Sequence, residues 1–171
     1  MEELIYCQEK IPKDQWRYGL RSSAATGCGW IATYNALRLM GKDADPEALV
    51  RYYQRMLPVI HGNLGTTILA PAFYFKKHGY RVEWTACQEK FDTMAKNADA
   101  CILFYRWYQK WKIGAHFVAL HHTDDGFIGY NTYKNSSGPD RYGPSLRKFL
   151  KDKKYVTPVL ITIHRPKGER T

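Results

Sequence analysis

Residues Cys28 to Met40 constrain the fold more than any other stretch of this chain. On a helix, Cys28, Ile31, Ala32, Asn35, Ala36 and Leu39 share one side at i, i+3, i+4 spacing, and Trp30, Tyr34 and Leu37 make the other side apolar too. A helix that is apolar all round must be surrounded by protein, so the remaining elements have to be built about it. Gly41 supplies the C′ residue that ends it. With 171 residues the chain is long enough for one such core and short for two. A single domain over residues 1–171 is expected, with 1–20 and 165–171 peripheral to it.

The order of the other elements sets the class. Asp45-Pro46-Glu47 reads as N-cap, N1 proline and acidic first turn of a second helix, running through Leu49, Val50, Tyr53, Met56 and Leu57 to Pro58. His61 to Gly65 reads as loop. Thr66 or Thr67 would cap a third helix, Ile68 to His78, stopped by Gly79. From Tyr80 the apolar period falls to two, and a short helix follows around Glu89–Asn97. Ala100 to Arg106 is a continuous apolar run and predicts a central strand; residues 107–114 read as an aromatic, basic connection. Ala115–His122 and Gly126–Tyr133 predict two strands about Thr123-Asp124-Asp125-Gly126, a strong hairpin signal. Ser145 caps a last helix with Leu146, Phe149 and Leu150 inward, and Tyr155–Ile163 makes a closing strand before a basic tail from Pro166. Helices first and then mostly antiparallel strands define an α+β chain.

Cys28 stands where the small-residue loop Ser23–Gly27 enters the central helix. Unpaired backbone N–H groups and the positive end of the helix dipole favour a thiolate there. Nucleophilic catalysis by cysteine also needs an imidazole and a third group to orient it. Of six histidines, His61, His78 and His164 read as solvated, whereas His116, His121 and His122 share one strand. Strand parity puts His116, Val118, Leu120 and His122 on one face and Phe117, Ala119 and His121 on the other. Folding the hairpin with a four-residue loop sets His116 opposite Asn131; a two-residue Asp125-Gly126 loop shifts Asn131 two rungs but keeps it on that face. Either register puts imidazole and carboxamide side by side, where the Asn amide can accept from one ring nitrogen and leave the other for the thiol.

Three motifs give these residues a family likeness. Thr26-Gly27-Cys28-Gly29-Trp30-Ile31-Ala32 resembles the cysteine-helix entry of papain-like cysteine peptidases. It is closer still to the bacterial double-glycine-leader peptidases and their C39-like relatives, in which Cys-Gly opens the central helix. Gly114 to Leu120 resembles their Gly-His-Phe/Tyr-Val-Val-Leu strand, and Gly126 to Asn131 the next strand, which ends in the third catalytic residue. The resemblance implies a papain-like fold, a central Cys helix packed on a mostly antiparallel sheet, and a Cys28-His116-Asn131 triad cleaving peptide or amide bonds. Two departures stand out. The leader peptidases carry Asp-Pro where this chain has Asn131-Thr132, although Asn is the papain-type choice. They also place an oxyanion-hole Gln shortly before the cysteine, whereas Arg21 to Gly27 holds neither Gln nor Asn. Ser22 occupies roughly that place and Gln15 lies further back; losing the side-chain donor would cost about 10²–10³ in rate.

The remaining features bound the function. An enzyme of this kind needs no cofactor, and among Cys87, Cys101, His121 and His122 no pair except the adjacent histidines has zinc-ligand spacing, so no metal is expected. Trp30, Trp107 and Trp111 are candidates for a substrate groove that would hold a peptide or amide. The net charge of +10 is uneven: residues 132–171 carry +7 of it. No stacking-aromatic motif accompanies that charge, so a solvated basic face is expected rather than a nucleic-acid site. No apolar run reaches the roughly 20 residues of a membrane span, and with Met1 as the native start a cytoplasmic location is expected. Substrate and oligomeric state are not legible. An acyltransferase on the same fold, or a papain-like domain that binds without catalysis, are the competing readings.

Overall fold

The computed structural model describes residues 4–55, 66–109, 111–166 and 168. Its helices are α1 (Ser23–Thr26), α2 (Cys28–Leu39), α3 (Pro46–Arg55), α4 (Ala70–Lys77), α5 (Phe91–Lys96) and α6 (Leu146–Asp152). Its strands are β1 (Arg81–Thr85), β2 (Ala100–Gln109), β3 (Lys112–Thr123), β4 (Gly126–Tyr130), β5 (Asp140–Gly143) and β6 (Val156–His164). They form one antiparallel sheet in the order β1-β6-β2-β3-β4-β5.

The apolar run on β2 explains the layering. Ala100, Ile102 and Phe104 face a cluster with α2, α3 and α4, while Cys101, Leu103 and Tyr105 face a second cluster with α5 and α6. A strand covered on both faces reads as a continuous apolar run, which is what residues 100–105 are. Every residue of α2 from Cys28 to Leu37 is buried, as its all-round apolar pattern requires. Thr33 and Asn35, polar side chains buried within it, are satisfied internally. Thr33 Oγ1 donates to Gly29 O, and Asn35 accepts the Ile5 N–H and donates to Ile5 O.

Several expected elements come out as read. Asp45 Oδ1 accepts the Glu47 N–H at the start of α3, Ser145 Oγ accepts the Lys148 N–H at the start of α6, and Gly41 and Gly79 close α2 and α4 with φ of +70° and +84°. Other readings are corrected. Residues 107–114 are not a connection: β2 and β3 continue as a long hairpin, with Gln109 paired to Lys112. Thr66 caps no helix; it is buried, and α4 begins at Ala70 after Leu69. Of the segment expected to be peripheral, the described residues 4–20 are not, since Tyr18 is fully buried and Ile5 is bonded to α2. The closing strand forms as β6, inside the sheet between β1 and β2, and β5 adds an edge strand at Asp140–Gly143. His164, taken as solvated, is buried. Met56, Leu57, Pro58 and the loop His61 to Gly65 lie outside the described residues, as does most of the tail from Pro166.

Candidate active site

The site forms where β4 leaves the edge of β3. β3 pairs with β2 from Lys112 to Leu120 but with β4 only from Ala119 onward, so the stretch around His116 has one bare edge. The N–H groups of a strand lie in the plane of the sheet. Cys28 and Phe117, the residue after His116, belong to one buried cluster, and the backbone groups of Phe117, Gly29 and Cys28 itself favour the ionised form of the thiol. That puts the nucleophile candidate on the α2 side of β3, next in sequence to the imidazole's own position, although no Cys28–His116 hydrogen bond is formed among the described residues.

Asn131 arrives at the same edge. The observed register pairs Ala119 with Tyr130 about a two-residue Asp124-Asp125 turn, one rung between the two registers expected and of the same parity. The ladder ends at Tyr130, and Asn131 takes the left-handed conformation with φ +64°. That turns its backbone over. The Asn131 main-chain carbonyl, not its side chain, lies 2.6 Å from His116 Nε2. A carbonyl can only accept, so Nε2 carries the hydrogen and Nδ1 is the basic nitrogen. The expected side-chain contact is replaced by another: Asn131 Oδ1 accepts the Gln8 N–H at 2.7 Å, and its Nδ2 donates to Gln8 Oε1 at 3.1 Å.

The electrostatics reverse one expectation. Cys28 is only 8% exposed, and its burial outweighs the three N–H groups, pushing the thiol up to about 11. Burial likewise pushes His116 below the ordinary histidine range, opposed by its bond to the Asn131 carbonyl. At neutral pH the pair is a thiol and a neutral imidazole rather than an ion pair. The packing behind the sulfur is tight. A Cβ on Gly29 would fall 2.4 Å from Thr66 Oγ1, and one on Gly27 would fall 2.6 Å from Ser23 O, so only glycine fits on either side of Cys28. Tyr18 Oη and Thr66 Oγ1 are 3.1 Å apart, and the Cys28 charge adds to the burial that raises the Tyr18 hydroxyl.

No protein-family model matches this chain, and no curated protein sequence matches it. Among solved structures, the peptidase domain of Streptococcus ComA, a bi-functional ABC transporter involved in a quorum-sensing pathway, superposes with a TM-score of 0.53. The match covers 82% of this chain and 91% of that one at 13% identity. The two share a fold. Residues 1–200 of RavD from Legionella pneumophila (strain Corby) are 16% identical over 80% of this chain and 75% of that one, with a TM-score of 0.36. The architecture is thus the α+β fold of that peptidase domain.

On this fold the oxyanion candidates lie away from the cleft. The cleft at His116 has a volume of about 780 Å³, and neither Ser22 nor Gln15 lines it. Ser22 is the N-cap of α1 with its hydroxyl unused as a cap, and Gln15 is exposed. Three carboxamides do line the cleft, Gln8, Gln109 and Asn131, and of these Gln8 reaches the segment before the cysteine, its Nε2 donating to Ala24 O at 3.0 Å. Sequence reasoning missed it because its partners are 16 and 123 positions away; the one available signal was a carboxamide in a segment with no clear period. The tryptophans divide three ways. Trp107 lines the cleft, Trp111 is fully exposed at the β2–β3 turn, and Trp30 is fully buried with its indole N–H donating to Ser23 Oγ at 3.0 Å. Trp30 therefore cannot line a groove. His121 stacks on Tyr130, and no group of three or more metal-ligating side chains occurs among the described residues.

Proposed function

We propose that this chain is a thiol hydrolase of peptide or amide bonds. His116 Nδ1 takes the Cys28 proton as the sulfur attacks the substrate carbonyl, and the resulting imidazolium then protonates the leaving amine. Water, deprotonated by the same ring, releases the acyl group from Cys28. The Asn131 carbonyl holds Nε2–H through both steps, so the proton always moves at Nδ1. The Cys28 N–H at the start of α2 is one oxyanion donor. The second hydrogen of Gln8 Nε2 supplies the carboxamide donor that Arg21 to Gly27 lacks.

The observation that supports this reading is the His116 ring, its Nε2 2.6 Å from Asn131 O, on the strand whose next residue, Phe117, shares a buried cluster with Cys28. Because the resting pair is neutral, it supports general-base attack in place of a preformed thiolate. The second reading, a domain that binds a peptide without cleaving it, is favoured by the burial of Cys28 and its absence from the cleft lining. A p-nitrophenyl ester separates the two. Hydrolase chemistry gives one equivalent of acyl group on Cys28, seen by intact mass and peptide mapping. The acylation is absent in Cys28→Ala and at least about 100-fold slower in His116→Ala. Acylation that is unchanged in a folded His116→Ala protein refutes the hydrolase reading.

A further inference from the structure

We propose that the cleft beside His116 receives an aromatic side chain of an acidic peptide. This rests on the thiol-hydrolase reading for what the peptide is there to do, and on the cleft itself for which peptide it is. Its volume of about 780 Å³ lies within the range of about 300–1,000 Å³ usual for ligand clefts. It far exceeds the space needed for a small side chain, and its walls are rings. Trp107 lies flat on β3: a Cβ at Gly114 would fall 2.2 Å from two indole carbons, so the glycine is what lets the ring form the wall two residues before His116. Next to Trp107 on the same face of β2, Tyr105 stacks on Tyr155 with centroids 4.1 Å apart and planes 7° from parallel, and Tyr155 is half-exposed where it lines the cleft. Tyr105 also meets the His116 ring at 6.1 Å, so the aromatic wall runs up to the imidazole. A ring entering here packs on faces and edges at the distances aromatic pairs prefer.

The charge at the mouth decides the flanking chemistry. Three ordinary charged side chains line the cleft: Glu9, Lys134 and Lys153. Lys134 Nζ is 2.8 Å from Glu9 Oε1, which cancels one pair. Lys153 has no acidic partner among the described residues; its Nζ stands 5.2 Å over the ring of Tyr133. Lys134 and Lys153 both belong to the basic quarter 132–171, so part of the +7 excess is gathered at this mouth. A carboxylate one or two residues from the seated ring would meet Lys153, with Tyr133 beneath it.

The test is calorimetric titration of Cys28→Ala protein with a blocked peptide carrying Phe beside Asp. Replacing Phe by Ala in the peptide should weaken binding about tenfold or more. Replacing Asp by Lys should weaken it about fivefold at low salt and little at high salt. Lys153→Glu should invert the charge preference and keep the Phe preference, whereas Trp107→Ala should remove the Phe preference. Tyr133→Ala, at a more exposed position, serves the same end if circular dichroism finds Trp107→Ala unfolded. Equal binding of Phe and Ala peptides, or no binding of either, overturns the proposal. So does an affinity unmoved by both Lys153→Glu and Tyr133→Ala. Wild-type protein separates the two levels. A peptide bound with this selectivity but never cleaved leaves the cleft assigned and refutes the hydrolase reading. Cleavage with equal kcat/KM for Phe and Ala refutes the cleft and leaves the hydrolase.

Discussion

Asn131→Gly separates a side chain from the carbonyl behind it. In the wild-type chain the side chain is buried, 2% exposed, and makes two hydrogen bonds to Gln8 at 2.7 and 3.1 Å. The main-chain carbonyl makes the bond to His116 Nε2 at 2.6 Å. Each lost side-chain bond is worth about 1 kcal/mol net, so the substitution should cost about 2 kcal/mol of stability. Glycine takes φ +64° without strain, whereas alanine adds a left-handed penalty of about 1–2 kcal/mol, making Asn131→Ala the less stable variant. The functional consequence is sharper. With the carbonyl kept in place, Cys28 acylation in Asn131→Gly should stay within about tenfold of wild type, because loosening the turn forfeits at most about one hydrogen bond's worth of orientation. If the side chain were the orienting group, its removal should cost about 10⁴, as the loss of the orienting residue does in a serine triad. Thermal melts followed by circular dichroism give the stability order, and acylation by a p-nitrophenyl ester gives the rate. A folded Asn131→Gly protein slowed about 10³-fold or more would refute the assignment of the orienting role to the main chain.

Two further outcomes follow from the ionisation of the buried groups. With Cys28 at about 11, its thiolate fraction at pH 7 is about 10⁻⁴, so its alkylation by iodoacetamide should rise about tenfold per pH unit from 7 to 10 with no plateau, whereas a plateau below about pH 8 by mass-spectrometric mapping would contradict the burial argument. Burial lowers His116, and burial followed by the neighbouring His122 charge lowers His121. The unfolded chain then binds protons more tightly than the folded one, so this stability is complete above the unfolded histidine value of about 6.5 and is lost as pH falls below it. Tm should drop between about pH 7 and pH 5, and drop less in His121→Gln; a Tm equally sensitive in both proteins would contradict it.

Local pattern was enough for what depends on neighbours in the chain. The all-round apolar helix, its entry at Cys28, the central strand from Ala100 and the parity that puts Asn131 with His116 all follow from periods of 3.6 and 2. The corrections fall where a single backbone angle or a distant partner decides. At Asn131 the left-handed φ exchanges the roles of carbonyl and carboxamide, and no residue pattern distinguishes the two beforehand. Residues 107–114 contain no Asn-Gly or Asp-Gly turn signal, and Tyr108 and Ile113 are paired yet exposed, so the hairpin lacks the half-buried alternation by which strands are read. At Cys28 the backbone environment was legible, since the N–H groups expected of a helix entry are there. The depth of burial that overrides them depends on Tyr18, Thr66 and Phe117, brought in from three separate segments.

The missing glutamine illustrates the same point from the opposite direction. Arg21 to Gly27 holds no carboxamide, and within the chain's order that is a gap at the site. In space the segment Leu4 to Lys10 packs alongside that stretch. Ile5 is fixed to Asn35 on α2, Cys7 Sγ donates to Lys134 O at 2.8 Å, and Gln8 joins Asn131 on one side to Ala24 on the other. One carboxamide thus ties the segment before the cysteine to the residue whose carbonyl holds the imidazole. An oxyanion donor has to be near the reacting carbon, not near the nucleophile in sequence. On the hydrolase reading proposed above, the carboxamide donor is therefore to be sought at Gln8 rather than in the residues just before Cys28.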